Sequence, residues 1–143
     1  MARTNTPFQS LYWALINAYK EGDFEIATTL YENQRKIDTQ LEDPWVQLAL
    51  IPNPPSPATI GSAGEDHHDG IFQIQLHTGV NSEIDKLLER VDAIAAHFTV
   101  GSRYQHQDQQ VIITACGRSA GRLISEHWYQ ITVTIDWRAR VKR

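Results

Sequence analysis

Hydrophobic and polar residues follow two distinct periods along this chain. Phe8, Leu11, Tyr12, Leu15, Ile16 and Tyr19 recur at helical spacing, which gathers them on one helix face. Thr6 is placed to cap that helix, with Pro7 at its first position and Gln9 completing a capping box. Gly22 supplies a stop, and Lys20 in the last turn suits the helix dipole. A second helical stripe runs through Ile84, Leu87, Leu88, Val91, Ile94, Ala95 and Phe98. Ser82 is its expected cap, Asp85 sits at the box position, and Gly101 is the expected close.

Period-two alternation marks the strands. In residues 71–77, Phe72, Ile74 and Leu76 fall on one side and Gln73, Gln75 and His77 on the other. Residues 44–50 put Val46, Leu48 and Leu50 opposite Trp45, Gln47 and Ala49. The final strand, residues 128–137, points Tyr129, Ile131, Val133 and Ile135 inward and Trp128, Gln130, Thr132 and Thr134 outward. Residues 111–116 form a further strand, 117–121 a hairpin connection, and 58–60 a short strand. Phe24, Ile26, Thr28 and Leu30 alternate as a strand does, yet Ala27, Leu30 and Tyr31 also fit a helical period; the strand is favoured by the clustered β-branched residues. The polar run 32–43 reads as a loop. Prolines 52, 54, 55 and 57 cannot continue a ladder, so residues 52–70 read as a stiff connection passing into a flexible loop. Residues 138–143 read as a frayed basic tail.

The expected fold is α+β: a mixed or antiparallel sheet packed against two amphipathic helices, in a single domain over 1–143. The length of 143 residues fits one domain. One cysteine excludes an internal disulfide framework and a Cys₄ or Cys₂His₂ zinc site. No apolar run reaches membrane-spanning length and no secretory leader is visible, so a soluble protein of a reducing compartment is expected. The net charge of −4 argues against general nucleic-acid binding.

Candidate chemistry is sparse. Glu65, His67, His68 and Asp69 are metal-ligand types, but neighbouring residues point apart and no His-x₃-His helical pair accompanies them. They define a rival reading as a small metal-dependent enzyme. Cys116 with His127 as base rests on residue types alone, and a strand-end Cys is commonly a small buried hydrophobe. His97 reads as a partly buried or surface histidine. The Arg118–Arg122 loop lacks phosphate-loop spacing. Arg138, Arg140, Lys142 and Arg143 allow a second rival, a nucleic-acid binder with steep salt dependence. No catalytic, cofactor or metal site is expected. The outward sheet face is more informative: Gln73, Gln75, His77, Trp128 and Gln130 mix aromatic and uncharged polar groups, which suits a subunit interface. Arg118 and Arg122 are further candidates for meeting a partner's carboxylates.

Several segments together carry a family resemblance. Tyr31-Glu32-Asn33, Pro44-Trp45-Val46, Thr59-Ile60-Gly61, Gly70-Ile71-Phe72-Gln73, Asp92-Ala93-Ile94-Ala95 and the closing Trp128-Tyr129 strand stand in one order over most of the chain. In that order they resemble a family of small phage tail proteins similar to the lambda-type tail terminator. The Glu65-Asp66-His67-His68-Asp69 stretch departs from its pattern. The resemblance implies an α+β fold without catalytic residues. It also implies a hexameric ring that caps the finished tail tube, stops its polymerisation and offers a surface to head-completion proteins. A neck or head–tail joining protein of similar build is the nearest alternative.

A ring of that kind requires a head-to-tail interface whose rotation closes, and exposed sheet surface supplies material for it. Loops 52–70 and 118–122 would face neighbouring rings. Six copies at −4 carry a formal −24, which would repel DNA sliding through the bore without binding it. The implied location is the virion tail, reached by assembly in the bacterial host cytoplasm.

Overall fold

The computed structural model describes residues 6–22, 24–36 and 40–142. Helix α1 spans Pro7–Glu21, and its start is the predicted capping box: the Thr6 hydroxyl accepts from Gln9 N–H while the Gln9 amide oxygen accepts from Thr6 N–H. Gly22 ends it, its N–H bonded to Tyr19 O. Helix α2 spans Ile84–His97. Its cap is Glu83 without a side-chain bond, not Ser82. Ser82 is instead drawn into the tight turn after the preceding strand, donating its N–H to Gly79 O at 3.1 Å. The helix closes at Phe98, whose N–H reaches Ile94 O. Gly101, in the left-handed region at φ +88°, belongs to the next turn and bonds to Ile113 O.

Eight strands complete the described residues. In chain order they are β1 Thr28–Leu30, β2 Trp45–Pro52, β3 Ser56–Pro57, β4 Glu65–Gly79, β5 Arg103–His106, β6 Gln109–Arg118, β7 Arg122–Leu123 and β8 Trp128–Lys142. The main sheet runs β1-β2-β4-β8-β6-β5, with β3 beside β4 and β7 beside β8. The β1–β2 pair is parallel and the other pairs are antiparallel, so the sheet is mixed. The long β4–β8 pair is its spine, registered from Glu65↔Lys142 to Gly79↔Trp128.

The helices and one sheet face share a core. Leu11, Leu15 and Ile16 of α1 and Leu87, Val91 and Ile94 of α2 join one buried cluster with the sheet. From the sheet come Phe72 and Ile74 of β4, Val111 and Ile113 of β6, and Ile131, Val133 and Ile135 of β8. Trp137 extends the same face and is 1% exposed. His97 ties the two helices together: its Nε2 lies 2.6 Å from Ala18 O, and its ring meets Phe24 and Phe98 edge-on. No described helix is long and apolar enough to cross a membrane.

Four expectations about the strands also change. Residues 65–70 are not loop but the first part of β4, because β8 supplies a full ladder for them. By the same pairing, residues 138–142 are strand and not a frayed tail; Arg143 lies outside the described residues. Within residues 24–31 the strand is only Thr28–Leu30, laid parallel on β2. The short strand falls at Ser56–Pro57, not at 58–60. Strands β5 and β7 carry no alternating apolar signal, since their residues are mostly polar and exposed. The polar run 32–43 lies partly outside the described residues.

Candidate functional site

The face of the sheet away from the helices is ordered by strand register. Odd residues of β4 and even residues of β8 point there, opposite the core set of Phe72, Ile74, Ile131 and Val133. Three zones follow along the β4–β8 spine. Glu65, His67 and Asp69 stand across from Lys142, Arg140 and Arg138 at one end. Gln73 and Gln75 stand across from Thr134 and Thr132 in the middle, all half-buried. His77 and Gln130 pair at the other end.

That last zone is a small second core. Trp45 stacks flat on His77, with ring centroids 3.5 Å apart and planes within 6°. Trp128 meets Trp45 edge-on at 5.6 Å, and Leu30 of β1 closes the cluster. The Asp43 carboxylate sets the strand ends, accepting from the Thr78 hydroxyl and Gly79 N–H at 3.0 Å each.

Polar atoms in this cluster form a directed chain. Arg122 Nε donates to Gln130 Oε1 at 3.3 Å. That leaves the Gln130 amide nitrogen to donate to His77 Nε2 at 3.0 Å. His77 Nδ1 then carries the proton and donates to Trp45 O at 3.3 Å. This arrangement needs neutral imidazole. Burial agrees with it, lowering the His77 pKa to about 4 against the opposing pull of the backbone bonds to Trp45 and Gln75.

The candidate residues therefore separate. His77, Gln130 and Trp128 occupy the expected face but are sunk in it, only 2%, 5% and 8% exposed. The alternation assigned their face correctly and their exposure wrongly, because β1 and the Arg122 side chain cover that end. Gln73 and Gln75 are accessible only in part. Arg118 is exposed and lies 3.5 Å from Asp92 of α2. Arg122 is exposed at β7, although its Nε is engaged by Gln130.

At the charged end, a groove of about 580 Å³ is lined by His67, Gln105, Asp108, Ile112, Arg138 and Arg140. Sequence reasoning missed it because its far wall is β5 and the β5–β6 turn. His67 Nε2 lies 3.6 Å from Asp69, but no group of three or more metal-ligating side chains occurs among the described residues. Burial, and then Asp136, raises the Cys116 thiol pKa, the opposite of what an activated nucleophile needs.

A surface of this kind offers contacts and no assembled reaction centre among the described residues. The phage tail terminator protein family matches residues 10–137. The chain belongs to that family. Membership places it among phage tail components, a structural family and not an enzymatic one. No curated protein matches the sequence. One solved structure is similar at a TM-score of 0.68 and 10% identity, covering 92% of this chain and 91% of that one. At that identity the likeness shows the fold alone.

Proposed function

We propose that this chain is a single-domain subunit of a hexameric ring that caps the tail tube, stops its growth and presents a surface to the head-completion proteins. The observation that carries this reading is the family match over residues 10–137. The uncovered sheet face supports it. Gln73 and Gln75, with Arg122 at the rim, offer uncharged polar and basic groups to a neighbouring copy, whereas Arg118, opposite Val133 and beside Asp92 of α2, offers its charge from the helix side. His77, Trp128 and Gln130 act from beneath by holding that surface rigid. The net charge of −4, repeated around a ring, disfavours DNA sticking in the bore. Assembly takes place in the host cytoplasm and ends in the virion tail.

Electron microscopy of tails assembled without the protein tests the reading. Over-long tubes are expected, and adding the purified protein to growing tubes should halt them. Tubes of normal length that fail to join heads would refute termination and indicate a joining protein.

A further inference from the structure

The two edges of the sheet are finished differently. At one edge β5 has only 4 residues, mostly polar, and carries the charge of Arg103, so it offers little to another strand. At the other edge β1 covers β2 only through Gln47. Among the described residues, no strand lies beside residues 48–52 on the side away from β4. Residues 46–51 read Val-Gln-Leu-Ala-Leu-Ile, apolar apart from one amide and without charge or proline. A segment of that composition with an open edge invites pairing with another chain.

Side chains close the open stretch instead. Leu50 N–H points away from β4 and donates to the Glu32 carboxylate. Donors to this edge recur on alternate residues, and the next position, Pro52, has none. Leu48 O accepts from the Gln47 amide at 3.3 Å. Glu32 is exposed, yet it belongs to a turn that is fixed in place. Asn33 is left-handed at φ +61°. Gln34 N–H donates to Tyr31 O at 3.2 Å, and the Gln34 side chain accepts from Tyr31 N–H at 3.1 Å. The Gln47 amide also donates to Tyr31 O at 3.2 Å, which pins the turn to β2.

We propose that Glu32 guards the β2 edge: its carboxylate occupies the donor through which β2 of a second copy would otherwise add, antiparallel, across Leu50. In that pairing the two Leu50 residues stand opposite each other and exchange N–H and C=O. Ile51, which is 44% exposed, then lies opposite Ala49 of the other copy. The guard leaves contacts between copies to the sheet face and the loops. It acts in a lone chain and in a ring alike, so it does not depend on the ring reading.

Sedimentation equilibrium of the full chain tests this by difference, with any ring contact common to all samples. Glu32→Ala uncovers Leu50 N–H and should self-associate at least about tenfold more tightly than the native chain, through two exchanged hydrogen bonds per pair. Glu32→Gln keeps a side-chain acceptor and should match the native chain. Ile51→Lys sets a charge on the edge. Combined with Glu32→Ala it should cancel the gain, measured against Ile51→Lys alone. Urea unfolding gives the unfolded fraction of each variant under the same conditions. Native-like association of Glu32→Ala would overturn the proposal. So would a gain that Ile51→Lys leaves in place, or one that follows the unfolded fraction. Each of these results leaves the ring reading standing, whereas failure of the native chain to cap tubes would sink that reading and not the guard.

Discussion

Acidification should destabilise this protein through His77 in a measurable way. In the folded chain burial holds its pKa at about 4, while in the unfolded chain it returns to 6.5. Between those values the unfolded state binds more protons than the folded state, so stability rises with pH. The stability associated with neutral His77 is complete above about pH 6.5 and is lost as pH falls toward 4. Integrating between the two pKa values gives a loss of about 2 kcal/mol at pH 5 and about 3 kcal/mol at pH 4. Among the described hydrogen bonds, no charged group reaches the imidazole directly to offset this: Arg122 meets it only through Gln130. Carboxylates and other histidines titrate in the same range, so the assay is a difference. Urea unfolding is measured from pH 8 to pH 4 for the native protein and for His77→Gln. The gap between the two should close by about 2 kcal/mol between pH 8 and pH 5. A gap that stays constant to within about 0.5 kcal/mol would refute the assignment of a buried neutral imidazole.

Other perturbations probe the remaining fold. Thr6→Ala removes the hydroxyl of the α1 capping box and should cost about 1 kcal/mol in denaturant unfolding, while Thr6→Ser should cost little. Leu15→Ala empties a site that is 1% exposed in the main core and should lower stability by about 2–5 kcal/mol in the same assay. Gly70→Ala would drive a methyl group into the Ile51 carbonyl and to 2.8 Å from Pro52 Cα. Those are backbone atoms, so about 1–3 kcal/mol of destabilisation is expected; a neutral result would show that β2 and β4 can part at their last pair, Pro52 with Gly70.

Features settled within a turn or two of chain are legible from the residues alone. The α1 capping box needs only Thr6, Pro7 and Gln9, which lie within one turn of each other. The core face of β4 needs only the alternation of Phe72, Ile74 and Leu76. The family resemblance is legible too, as an ordered set of short segments lying largely within the residues that the family matches. Whatever depends on a partner distant in sequence is set by the fold instead. Residues 65–70 and 138–142 are too polar to read as strands, and become strands because each supplies the other's hydrogen bonds. The Trp45–His77 stack joins residues 32 positions apart. Period-two patterning says which face a side chain takes but not what covers it. The polar face of this sheet therefore holds a buried aromatic cluster at one end and a charged groove at the other, a division set by which strands lie beside it.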